Sequence, residues 1–105
     1  METLNENYAE RITIMKQGTQ IAYIPNHANG NINHPDVEFG FVTTVRGSNQ
    51  CFCRYWRKGK PGTLRTTLNS ELTLTKNLRE AVSVDQAIVN SLIAMYSNKA
   101  MTSSL

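Results

Sequence analysis

The sequence predicts a mainly β (α+β) domain: a small antiparallel SH3-like barrel with a C-terminal helix and room for a short N-terminal helix. Three observations lead there. Short β-branched and aromatic runs recur between turns rich in Gly, Asn and Pro. Beyond residue 83 the apolar period changes from that of a strand to that of a helix. The 105 residues, 40% hydrophobic and 18% charged, suit one domain spanning 1–105, with its barrel core over 18–78. At this length roughly two thirds of the unfolded surface can be buried, so the core needs no metal or disulfide staple.

Residues 2–10 have no clear period. Tyr8, Ile12 and Met15 share a helical face, while Ile12-Thr13-Ile14 reads equally well as a strand. Gly18-Thr19 is a turn signal, and 20–24 is a short strand ended by Pro25, which cannot donate to a ladder. The following stretch to Asp36 is crowded with asparagines and holds Gly30 and Pro35, so the 25–38 segment is a loop. Residues 38–46 alternate around Phe39, Phe41, Thr43 and Val45, as in a half-buried strand. Gly47-Ser48-Asn49 turns the chain into 50–57, where Phe52, Arg54 and Trp56 face away from Cys51, Cys53 and Tyr55.

A second turn, 58–62, leads to strands over 63–68 and 72–74. Ser83 with Gln86 makes a capping box, and Val84, Ala87, Ile88, Leu92 and Met95 recur at helical spacing. The spacing predicts a helix over 83–98 and a frayed tail over 99–105. Its wide stripe, which includes Ile93 and Tyr96, packs on the sheet or serves as a homodimer seam.

No run approaches the roughly 18 apolar residues of a membrane span, and the acidic, polar start lacks the layout of a secretory signal. Cys51 and Cys53 are too close for an unstrained bridge, which predicts free thiols packed in the core and a reducing, cytoplasmic setting. The formal charge is +3, unevenly distributed. Between residues 39 and 70 there is no acid, while Arg46, Arg54, Arg57, Lys58, Lys60 and Arg65 all lie there. With Trp56 these cations compose a candidate binding surface for an acidic protein or a nucleic acid, rings stacking on bases and cations meeting phosphates. The competing reading is a solvated basic hairpin whose aromatic residues face the core.

His27, His34, Asp36 and Glu38 form the only cluster with metal-ligand chemistry. Two imidazoles and a carboxylate suit a divalent metal, with Asp36 or Glu38 as third ligand or general base. Alternatively, Asp36 caps a turn, the histidines bond to backbone, and Glu38 pairs with an arginine. No nucleophile elbow, phosphate loop or dinucleotide fingerprint occurs.

The runs Gly18-Thr19-Gln20-Ile21-Ala22-Tyr23-Ile24-Pro25-Asn26-His27-Ala28 and His34-Pro35-Asp36-Val37-Glu38-Phe39-Gly40-Phe41-Val42 resemble a family of small phage and prophage proteins. The resemblance covers 18–78. It implies a phage accessory protein acting in the cytoplasm of a bacterial host, and it implies context more than chemistry. Asn31 stands where the family pattern is often acidic, which counts against a metal-binding carboxylate at that point.

The favoured function is a non-catalytic binding module without a cofactor, engaging a host protein or nucleic acid, with a defence system as one target. The alternatives are a small metal-dependent enzyme centred on His27, His34, Asp36 and Glu38, and a protein that sequesters a nucleotide between the polar loop and the basic hairpin.

Overall fold

A computed structural model describes residues 15–65 and 70–103, with 96–103 as backbone. The choice between helix and strand around Tyr8 and Ile12 lies outside the described residues, as does the far end of the strand expected over 63–68. The strands are β1 (Gln20–Tyr23), β2 (Glu38–Arg46), β3 (Gln50–Arg57), β4 (Lys60–Leu64), β5 (Glu71–Leu74) and β6 (Leu78–Glu80), followed by helix α1 (Gln86–Ser103). They make one antiparallel sheet in the order β4-β3-β2-β1-β6, with β5 also on β3. β2 covers one side of β3, while β5 and β4 share the other, β5 on the first half and β4 on the second.

The sheet is open: among the described residues no ladder joins β6 to β4 or β5. The expected SH3-like barrel is met only in its strands and its terminal helix. β6, which the sequence reading passed over, is three residues long with one buried side chain, Leu78, too little apolar pattern to register as a strand.

Both faces of the central strands are buried. Ile21, Val42, Cys51, Cys53, Tyr55 and Leu78 pack together on one face. On the other, Phe41 and Trp56 meet Val89 of α1, supported by Leu64, Val84, Leu92 and Ile93. The simple alternation expected for β2 therefore fails. Val42 pairs with Cys53 but Thr44 with Phe52, so Thr43 is the extra residue of a bulge and the side chains beyond it change face. Val45, expected to be inward, is exposed.

Gly40 shows how closely β2 and β3 approach. A Cβ there would lie 2.0 Å from the Arg54 carbonyl oxygen, so no larger residue fits without moving the backbone.

The second turn is tighter than expected. Arg57 pairs with Lys60 across Lys58-Gly59, and Gly59 takes a φ of +79°. Pro61 and Gly62 sit in an irregular stretch of the edge strand β4, where a missing N–H does no harm.

The helix begins and faces differently from the sequence reading. Asp85 Oδ1 accepts the Ala87 N–H at 3.0 Å, so Asp85 supplies the cap. Ser83 Oγ instead accepts the Trp56 indole N–H at 2.9 Å, and the Ser83–Gln86 capping box does not form. Backbone helix continues to Ser103, through most of the tail expected to fray. Val89, Leu92 and Ile93 turn inward, while Ala87, Ile88 and Met95 are exposed. Both sets have helical spacing, and the sheet selects between them. Among the described residues no helix is long and apolar enough to cross a membrane.

Candidate functional site

The loop between β1 and β2 is held by its own turns and by three residues outside it, Asn77, Arg79 and Lys58. Asn26–Ala28 forms a single 3-10 turn, closed by Asn29 in the left-handed region at φ 52°. Backbone bonds from Asn31 N to Ala28 O, His34 N to Asn31 O and Val37 N to His34 O, each 3.0 Å, step the chain back toward the sheet. Asn31 serves a turn: its Oδ1 accepts the Asn33 N–H at 3.0 Å. Ala28 and Val37 are buried with Ala22 and Ile24, giving the loop an apolar floor. Asn77 clamps its entrance by donating to Ile24 O and Asn26 Oδ1, both at 2.9 Å, and Arg79 donates to Gly30 O at 3.1 Å.

This folding brings three of the four candidate metal ligands together. His27 Nε2 lies 2.7 Å from Asp36 Oδ2, and His34 Nδ1 accepts the Asp36 N–H at 3.0 Å. The two imidazoles meet edge to face with centroids 5.2 Å apart. One donor atom from each of His27, His34 and Asp36 falls within 4.8 Å of the others. The hydrogen bond to His27 holds the Asp36 carboxyl below the usual carboxylate range.

Glu38 does not join them. Arg65 bonds to both Glu38 and Glu71, and its guanidinium lies 5.2 Å from the Tyr55 ring centroid. Partial burial works to lower the Arg65 pKa, but the bonds to Glu71 and Glu38 outweigh it and the net shift is upward.

The loop faces the β3–β4 hairpin across a cleft of about 650 Å³. Tyr23, Pro25, Pro35, Val37, Phe39, Trp56 and Pro61 give it apolar walls, while His27, Asp36, Glu38, Arg57, Lys58 and Arg65 carry its charges. Lys58 spans the gap, its Nζ donating to the Pro35 carbonyl at 2.8 Å. Trp56 contributes an edge only, being 5% exposed and fixed by its bond to Ser83. The charges of this cleft and Trp56 are legible in the sequence, but its other walls are not. The three prolines and Phe39 carry only strand and turn signals, and the close approach of loop and hairpin gives them a common face.

The remaining cations do not gather into one patch. Arg57 and Lys58 line the cleft and are exposed; Lys60 is exposed on β4, outside the lining. Arg46 closes the opposite hairpin, one length of β3 away or roughly 23 Å. Arg54 is only 6% exposed, beside Phe41 in the ladder, so it offers no cation to a surface partner. Arg65 is engaged with Glu38 and Glu71.

The buried thiols offer no reactive centre. Burial pushes the Cys53 thiol up to about 12 and raises that of Cys51, which disfavours the nucleophilic thiolate. Compared with known proteins, the chain matches no family model, no curated protein and no solved structure.

Proposed function

We propose that this chain is a non-catalytic binding module whose ligand is a nucleotide, held in the cleft between the 24–37 loop and the β3–β4 hairpin. The cleft itself carries the reading. Its volume lies within the span of small-molecule sites, and its walls are apolar with a few convergent polar groups. Proline and aromatic walls suit a flat base, and Arg57 and Lys58 at the rim suit its phosphate. Asp36 and Glu38 are already paired with His27 and Arg65, which blunts their repulsion of an anion. In the setting that the phage resemblance implies, the module withdraws a nucleotide from the bacterial host cell. Engagement of a host protein is the other form of the same reading. The enzyme alternative has less support, because its fourth member, Glu38, is bonded to Arg65.

Trp56, the chain's one tryptophan, lines the cleft and reports on its occupant. Titration with nucleoside mono-, di- and triphosphates, cyclic dinucleotides and short single-stranded DNA is expected to change its fluorescence saturably for at least one of them. A free nucleotide binding as tightly as the strand places the ligand wholly inside the cleft. R57E with K58E is expected to weaken binding about tenfold or more, the loss of one or two charge-assisted bonds. No response to any nucleotide or strand, with the fold intact, overturns the proposal.

A further inference from the structure

We infer that His27, His34 and Asp36 bind a divalent transition-metal ion of the zinc class at the lip of the cleft. The donor set is two imidazoles and one carboxylate, which suits zinc and its first-row neighbours, and three protein ligands leave one position open. All three residues belong to one loop whose backbone is fixed by consecutive turns, so the ion need not order the chain to bind.

The donor atoms are already close. Metal–ligand bonds of about 2.0–2.1 Å at tetrahedral angles put neighbouring donors roughly 3.4 Å apart. The three donors lie within 4.8 Å of one another, and His27 Nε2 to Asp36 Oδ2 is 2.7 Å, so a small spreading of that pair and a small approach of His34 admit the ion. The ion takes the place of the hydrogen bond between them. His27 Nε2–H now donates to Asp36 Oδ2; on binding, the imidazole takes its other tautomer, the proton passing from Nε2 to Nδ1 through solvent, and the freed Nε2 lone pair and the carboxylate oxygen turn to the metal. His34 Nδ1 already carries an unprotonated lone pair, since it accepts the Asp36 N–H. Asp36 is an exposed residue, so its N–H passes to water when the metal takes its acceptor. Glu38 has no part in the site, being held by Arg65.

His27 and Asp36 also line the cleft, so the open position of the ion lies at its edge. The metal site does not depend on the nucleotide reading, and its test contains no nucleotide.

The full-length chain, stripped with chelator and dialysed, is titrated with zinc and separately with cobalt(II) by calorimetry. One equivalent is expected to bind, with the cobalt form showing the visible absorption of a low-coordinate site. H27A, H34A and D36N are each expected to lower zinc affinity more than about tenfold. E38Q is expected to leave it unchanged. All four positions lie at or near the surface, and circular dichroism in chelator checks that each variant folds. Imidazole nitrogen NMR supplies a second readout: the His27 Nε2 and His34 Nδ1 resonances are expected to shift on zinc addition. Substoichiometric binding, or an affinity indifferent to H27A, H34A and D36N, overturns the site. So does an E38Q loss as large as theirs, because the donors would then not be the three described.

Discussion

The side chain of Gln20 grips the backbone of Val84 at both ends: its Oε1 accepts the Val84 N–H at 3.0 Å and its Nε2 donates to the Val84 carbonyl at 2.8 Å. Oε1 also accepts the Ser83 N–H at 2.9 Å, and Nε2 donates to Gln86 Oε1 at 3.0 Å. Gln20 is 2% exposed, so one buried amide ties β1 to the segment that launches α1. Q20L keeps much of the volume and strands the backbone groups of Ser83 and Val84. The expected loss is about 3 kcal/mol, since each orphaned buried group costs roughly 1–3 kcal/mol. Urea denaturation measures it, and a loss below about 1 kcal/mol would mean that water replaces the amide easily.

Gln20 also marks where the sequence stops being legible. A glutamine opening a β-branched run reads as a solvated strand end, and only the return of the chain 63 residues later gives it partners. The same holds for Arg54, a surface cation by type that the helix-facing side of the sheet buries. Local signals did better. The turns at Gly18, Gly47 and Gly59 all sit at positive φ, as glycine permits. The histidine loop was visible as a loop, and three of its four candidate ligands converge because the turns between them are short and local. Glu38 left the group because its partner, Arg65, is 27 residues distant. The reversal of face at Thr43 was invisible because nothing in Thr43-Thr44 distinguishes a bulge from regular strand.

Gly40 tests the closeness of β2 and β3. G40A puts a methyl group against the Arg54 carbonyl, an atom of a central ladder that cannot swing aside. The expected cost is about 3 kcal/mol or more, at the severe end for overpacking, read as a lowered midpoint in thermal or urea unfolding. A variant of unchanged stability would show that the two strands part readily at this point.

Alkali is expected to destabilise the fold. Burial raises the pKa of Cys53 to about 12, and also raises those of Cys51 and Tyr55, so each holds its proton to higher pH in the folded protein than in the unfolded chain. The unfolded thiols ionise near their ordinary value of 9.0. Above it the unfolded state binds fewer protons than the native state, and stability falls as pH rises. The slope approaches about 1.4 kcal/mol per pH unit for each group that has passed its unfolded pKa. Unfolding free energies measured from about pH 7 to 11 are expected to be level at first and then to fall, with C53A less steep than the parent. A level profile throughout would contradict the burial of these groups.

Lys58 bridges the cleft. Its Nζ donates to the Pro35 carbonyl across the gap, joining the hairpin to the arm of the loop that carries Asp36. Both partners are exposed, so the bond adds little to global stability; K58M, which keeps the alkyl stem, is expected to change unfolding by no more than about 0.5 kcal/mol. Its effect is local. The Val37 N–H bonds to His34 O within the same arm, and the Asp36 N–H bonds to His34 Nδ1. Without the lysine these turns open more often, and amide exchange at Asp36 and Val37 is expected to speed severalfold while exchange in β2 and β3 is unchanged. Equal exchange in both proteins would show that the loop holds its place by the packing of Ala28 and Val37 alone, and that the cleft keeps its width without a strap.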